Sequence, residues 1–248
     1  MTAVFVHGVP ETTNLWDGVC SRLEGPNVAL GLPMFDGSRP DGFQPTKDAY
    51  VDWLEGALQD IDGPIDLVGH DWGALLVARI AARGSVSLRS WTIDVAGILD
   101  EEYEWHPAAQ LWRTPDMGEE WVTATAAAAP GTPESAATQL LGAGVPEQFA
   151  HEMGNDFNSA MGYAILGLYR SASPNVFADW GDSLSAPTEA PGLVLQPTLD
   201  AFDDYRASSH VAKRMGATTE TLAGLGHWWM LEDPDTAADT LQRFWERI

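Results

Sequence analysis

The stretch Ile65-Asp66-Leu67-Val68-Gly69-His70-Asp71-Trp72-Gly73-Ala74 decides how this chain is read. A short apolar run ends in Gly-x-Asp-x-Gly, and an amphipathic pattern, Trp72–Arg83, begins at once. Strand, turn and helix follow with no residue to spare. A turn that sharp accepts only small residues two positions either side of its centre, and it pushes the central side chain out over the carboxyl edge of a sheet. Asp is also a favoured helix N-cap. The glycines on both sides make Asp71 the apex of a nucleophile elbow rather than a simple cap.

Working outward, short apolar runs alternate with longer amphipathic ones, the pattern of a parallel sheet covered by helices. Strands are expected at Ala3–Val6, Val28–Leu32, Ile65–Val68, Trp91–Val95, Leu193–Gln196 and Thr218–Leu222. Helices are expected at Thr46–Asp60, Trp72–Arg83 and Pro234–Ile248. Residues 97–190 carry no convincing strand and are broken by Pro115, Pro130, Pro133, Pro146 and Pro174. So long an insertion is not a loop in a compact domain. It is read as a helical lid with its own small core, inserted in an α/β core of residues 1–96 and 191–248. Lids exclude water and shape specificity.

The 248 residues, 45% apolar, suffice for one sizeable core. Thirteen Lys and Arg face 36 Asp and Glu, a formal net charge of −23. Such a surface repels phosphate backbones and anionic lipids, so neither nucleic acid nor a membrane surface is expected as a partner. The single cysteine, Cys20, excludes a disulfide framework and a Cys-based zinc site. The first residues lack a basic signal-peptide start, and no apolar stretch reaches the roughly 20 residues of a membrane span. A soluble, cytoplasmic protein, monomer or homodimer, is expected, with no metal and no cofactor.

Three further segments surround the elbow. Val6-His7-Gly8-Val9-Pro10-Glu11 follows the first strand; its glycine permits close backbone approach, and the N–H groups of Val9 and Trp72 would face developing negative charge. His7 itself is read as a buried residue that orders this loop. Leu225-Gly226-His227 lies between the last strand and the last helix, where His227, alone among six histidines, suits a general base. Asp200, just beyond the strand 193–196, suits the carboxylate that orients it, with Asp203 and Asp204 as rivals.

With these residues in place the chain resembles the α/β-hydrolase superfamily, in its epoxide hydrolase and haloalkane dehalogenase branch. Gly69-His70-Asp71-Trp72-Gly73 is similar to that branch's elbow, and His7-Gly8-Val9-Pro10-Glu11 to its oxyanion loop. The resemblance implies an Asp71 carboxylate that attacks an sp³ carbon, an alkyl-ester intermediate, and hydrolysis by water activated by His227. Relatives usually have two strands before the His-Gly loop, but only six residues precede His7 here. The implied sheet therefore has six parallel strands, with the strand near Val28–Leu32 at an edge.

The leaving group separates the two activities. Epoxide opening needs a proton donor, and Leu166-Gly167-Leu168-Tyr169-Arg170 resembles the lid segment that carries a donor tyrosine. A second tyrosine has no match near 104–110; Tyr103 is out of register, and His106 is a substitute donor. Trp72, Trp105 and His106 are expected to face the substrate. Dehalogenases use the Trp after the nucleophile with an Asn in the oxyanion loop, but that position is Val9. An apolar to moderately polar epoxide is the expected substrate, a haloalkane the alternative, and a non-catalytic ligand-binding member a third reading.

Overall fold

The computed structural model describes all 248 residues. Six strands form one wholly parallel sheet in the order β2-β1-β3-β4-β5-β6: β1 is Thr2–Val6, β2 Asn27–Leu30, β3 Ile65–Gly69, β4 Leu88–Ile93, β5 Gly192–Pro197 and β6 Thr218–Leu222. The expected strand count, parallel pairing and edge position of β2 all hold. β4 starts earlier and stops earlier than the apolar pattern suggested, because the chain leaves the ladder before Asp94 and turns left-handed at Val95 (φ 39°).

Alternation along the strands sends side chains to two layers. Val4, Val6, Leu67, Ile93 and Val194 join one apolar cluster. Ala3, Phe5, Val68, Leu193 and Leu195 join the other, with Trp16 and Trp229. Helix α1 (Asp17–Cys20) lies on the second face; α2 (Lys47–Gln59) and α3 (Trp72–Arg83) cover the first. Between β4 and β5 run α4 (Pro107–Arg113), α5 (Met117–Ala127), α6 (Ala136–Ala143), α7 (Glu147–Asp156), α8 (Ser159–Ser171) and α9 (Phe177–Trp180). After β5 come α10 (Tyr205–Met215), α11 (Trp229–Glu232) and α12 (Pro234–Trp245). No helix is long and apolar enough to cross a membrane.

The inserted helices do not have the separate small core expected of them. Met161, Ala164, Ile165 and Leu168 of α8 belong to the same cluster as Trp72 and Leu75, while Leu140 and Met153 belong to the cluster on the other side of the sheet. The reason lies in α8. Gly167 has no side chain, so the helix approaches α2's entry until an added Cβ would stand 2.3 Å from the Pro45 carbonyl oxygen. Ser171 Oγ accepts from the Lys47 N–H (2.8 Å), Lys47 Nζ pairs with Asp179 (2.8 Å), and Trp180 donates to Asp48 (2.9 Å). With these polar ties at its rim, the apolar face of α8 completes the main core.

Strand β1 sits where the order reverses, with β2 on one side and β3 on the other. In open parallel sheets, ligands bind outside the carboxyl ends of the strands at such a switch point. The register pairs Val6 with Gly69, which brings the loop after β1 against the turn after β3.

Candidate active site

Asp71 occupies a backbone conformation, φ 49° and ψ −120°, that non-glycine residues rarely adopt. The turn tolerates no bulk around it. A Cβ on Gly69 would lie 2.4 Å from the Gly73 carbonyl oxygen, and one on Gly73 would lie 2.3 Å from that of Val6. A Cβ on Gly8 would strike the Asp71 side chain at 2.5 Å. These three glycines let the elbow, its helix and the oxyanion loop close on one carboxylate.

That carboxylate already sits against the two N–H groups expected to form an oxyanion hole. The Val9 N–H donates to Asp71 Oδ2 at 3.0 Å, and the Trp72 N–H also favours the ionised form. Burial nevertheless pushes the Asp71 pKa up to about 6, against the opposing pull of His227 and His70 and with a small addition from Glu11. Oδ2 is the oxygen held by the Val9 N–H.

His227 Nδ1 lies 2.9 Å from Asp200 Oδ2, and Asp200 Oδ1 accepts from the Phe202 N–H at 2.8 Å. The ladder between β5 and β6 runs on past the strands, through Thr198 N–H to Leu222 and Leu199 N–H to Leu225, and so sets the two loops side by side. Burial opposes charging of His227, but Asp200, with help from Asp71, raises its pKa above the ordinary value. The two rival carboxylates are occupied elsewhere. Asp203 accepts from Gly97 N–H and Ser208 Oγ, and Asp204 caps α10 through the N–H groups of Arg206 and Ala207. His7 is fully buried between the Gly8 carbonyl (2.8 Å) and the Leu32 N–H (3.0 Å), which makes it a loop-ordering residue.

A cavity of about 160 Å³ opens over Asp71. Asp71, His227, Tyr169 and His106 line it together with Trp112, Trp121, Leu140 and Phe157. Twelve of its eighteen lining residues are apolar, which suits a largely apolar ligand. Burial, reinforced by Asp71, raises the Tyr169 phenol well above its ordinary pKa, so the hydroxyl keeps its proton. His106 Nδ1 accepts from the Ala109 N–H at 3.3 Å as the N-cap of α4. Burial, with His227 adding, lowers the His106 pKa to about 4, so the ring is neutral at pH 7 and its proton sits on Nε2.

Two expected contacts fall behind this wall. Trp72 and Trp105 are both buried and stack at 5.9 Å, and neither lines the cavity. Trp105 donates to the Ala172 carbonyl, and both indoles pack edge-on to Tyr169, supporting its ring rather than touching a ligand. The indole N–H of Trp72 has no hydrogen-bond partner. Tyr103 stands in a wider neighbouring cleft, which shares His106 and Phe202 with the cavity and carries Asp100, Glu102, Glu104 and Asp203.

Three buried residues escaped the sequence reading. Glu11, His70 and Asp94 lie directly beneath the site, with the His70 and His227 rings 4.5 Å apart. Only the position of Asp94 at the carboxyl end of a parallel strand could have drawn attention to it.

The family model of the alpha/beta hydrolase family matches residues 3–240, and the chain belongs to that family. Solved structures similar to it include a haloalkane dehalogenase from Bradyrhizobium elkanii (17% identity, 100% of this chain and 91% of that one, TM-score 0.75). A thermophilic esterase from Thermogutta terrifontis has the same identity and TM-score, over 100% and 90% of the two chains. A thioesterase domain from the curacin biosynthetic pathway shares 16% identity over 97% and 90%, with a TM-score of 0.70. At these identities the likeness is one of fold. No curated protein matches the sequence. The chain is thus an α/β-hydrolase.

Proposed function

We propose that this hydrolase opens epoxides to vicinal diols through an alkyl ester on Asp71. The observation that carries the reading is the self-occupied oxyanion hole: Val9 N–H on Asp71 Oδ2. Oδ1 attacks the less hindered ring carbon, and the ring C–O bond breaks as Tyr169 O–H and His106 Nε2–H donate to the departing oxygen. The ester carbonyl is then Oδ2, still in the hole. Esterification removes the Asp71 charge that favours protonated His227, so the imidazole is freed to act as a base. It takes a proton from water, which attacks Cγ of Asp71. Negative charge gathers on Oδ2 against the Val9 and Trp72 N–H groups. Collapse releases the diol with the former Oδ1 as the His227 imidazolium protonates that departing oxygen; the water oxygen stays in the carboxyl group, whose remaining proton returns to Tyr169. Asp200 holds the imidazole and stabilises its charged form. The helices α4–α9 serve as the lid, and the acid-lined outer cleft disfavours anionic substrates.

A dehalogenase reading draws support from one observation, the unpartnered Trp72 N–H beside Asp71. A halide cradle needs donors that face the cavity. That indole is sealed behind Tyr169, while the two donors lining the cavity, Tyr169 and His106, suit an oxygen that must be protonated. Single turnover in heavy-oxygen water should place the label in the Asp71 carboxylate and leave the diol unlabelled. A panel of epoxides and haloalkanes, with diol and halide measured separately, decides the leaving group. Label in the diol alone would refute the ester, and halide release without diol formation would refute the epoxide reading.

A further inference from the structure

Below the catalytic residues lies a second set of charges that touches no ligand. His70 is fully buried, and its Nδ1 lies 2.5 Å from Asp94 Oδ2, its Nε2 3.2 Å from Glu11 Oε1. Both carboxylates are buried too. Their oxygens reach out from the ion triple to the elbow, the loop after β1 and the segment that follows His227. Asp94 Oδ1 accepts from the backbone N–H of Asp71 (3.0 Å), and Asp94 Oδ2 from the Trp229 indole (2.7 Å). Glu11 Oε2 accepts from the Gly8 N–H of the oxyanion loop (2.7 Å), and Oε1 from the indole of Trp228, the residue after His227 (2.7 Å). The groups facing His70 are thus Asp94, hydrogen-bonded at Nδ1, Glu11, at ion-pair distance from Nε2 but outside hydrogen-bond geometry, and the His227 imidazole at 4.5 Å between centroids.

We propose that Asp94–His70–Glu11 is a buried positioning relay that sets the two half-reactions separately: Asp94 holds the nucleophile for alkylation, and Glu11 holds the oxyanion loop for ester hydrolysis. Two observations beyond the contacts support it. Asp94 is followed by Val95, a β-branched residue at φ 39°, a strained conformation that persists only where its surroundings impose it. All four carboxylate oxygens are engaged, as a buried ionic network requires if it is to fix one geometry. His70 charges despite burial because Asp94 and Glu11 outweigh the desolvation, and Glu11 is held down at about 2 chiefly by His70. The cation therefore faces Asp71 permanently and favours its ionised form.

The proposal rests on the Asp71 ester, and its test separates the two. The wild-type protein is first turned over once in heavy-oxygen water. The isosteric variants Asp94→Asn and Glu11→Gln are then followed by rapid quench, with intact-protein mass reporting the alkyl-enzyme. Misplacement of a reacting group by about 1 Å can cost on the order of 10²-fold. Asp94→Asn is expected to slow alkylation by about that factor with no intermediate accumulating. Glu11→Gln is expected to slow hydrolysis, so the alkyl-enzyme builds up. If the wild type takes up label but both variants, folded, keep both steps within about twofold, the relay is wrong and the ester stands. If both variants slow the same step equally, the division of labour is wrong. Imidazole NMR of the wild type gives a test that needs no variant: His70 should still carry protons on both nitrogens well above the pH at which an ordinary imidazole loses one. Titration of His70 near its ordinary value would overturn the ion triple, whatever the fate of the ester.

Discussion

Replacing the Asp71 carboxylate by its amide should abolish turnover and stabilise the fold. The folded state raises the Asp71 pKa from the ordinary 3.8 to about 6, so it binds the proton more tightly than the unfolded chain does. Ionised Asp71 is therefore a destabilising group. Its cost is fully present above about pH 6, shrinks as the pH falls, and is gone below 3.8. At about 1.36 kcal/mol per pH unit the full cost is about 3 kcal/mol, and at pH 5 about half of that remains. Asp71→Asn keeps the shape and leaves a carbonyl oxygen to accept from the Val9 N–H. Melting followed by circular dichroism should show the variant about 6–12 °C more stable at pH 7.5, at the roughly 2–4 °C per kcal/mol usual for this chain size. The gain should roughly halve at pH 5. A variant no more stable than the wild type at pH 7.5, or a gain unaffected by pH, would refute the claim that burial of this charge dominates its energetics.

Other consequences are sharper but narrower. The alkylation rate should rise through about pH 6 as Asp71 ionises, in single-turnover measurements across pH 4–9; a rate already flat at pH 4.5 contradicts the raised pKa. Tyr169→Phe should slow alkylation by about 10²–10⁴-fold and His106→Ala by less, the double variant losing nearly all ring opening; a Tyr169→Phe enzyme with unchanged quench kinetics removes the tyrosine from the chemistry. Gly8→Ala, whose added Cβ would meet the buried Asp71 side chain at 2.5 Å, should lose activity and lower the melting point, because the loop and the elbow must move apart to admit it. Neutral aryl or alkyl epoxides should be turned over with kcat/KM well above that of epoxy acids of equal size, because the outer cleft carries Asp100, Glu102, Glu104 and Asp203.

The elbow and its partners were legible because each depends on local chain geometry. Gly69 and Gly73 reveal how close the backbone must pass, and the offsets of Asp200 and His227 from their strands reflect a parallel ladder that continues into both loops. What escaped depended on contacts across the sheet. Glu11 and Asp94 come from the ends of different strands and carry no spacing relation to His70, so no window of sequence displays them as a set. The placement of Trp72 and Trp105 failed for a related reason. An aromatic near a reacting residue can line a cavity or stand behind the residue that does, and here Tyr169 took the wall. The lid's expected private core failed because one glycine, Gly167, lets α8 dock onto α2.

On the proposed mechanism the contact between the Val9 N–H and Asp71 Oδ2 would also govern chemoselectivity. Acyl transfer needs an oxyanion hole open to the carbonyl oxygen of the substrate. Here the hole holds Asp71 Oδ2 before any ligand arrives, and Gly8 presses against the same side chain. An ester or thioester reaching the cavity finds the hole closed to its carbonyl and a carboxylate where an alkoxide nucleophile would be. On the proposed mechanism, shape likeness to an esterase and a thioesterase domain would not extend to acyl transfer. The position of one oxygen atom would then turn a common scaffold away from carbonyl carbon and toward saturated carbon.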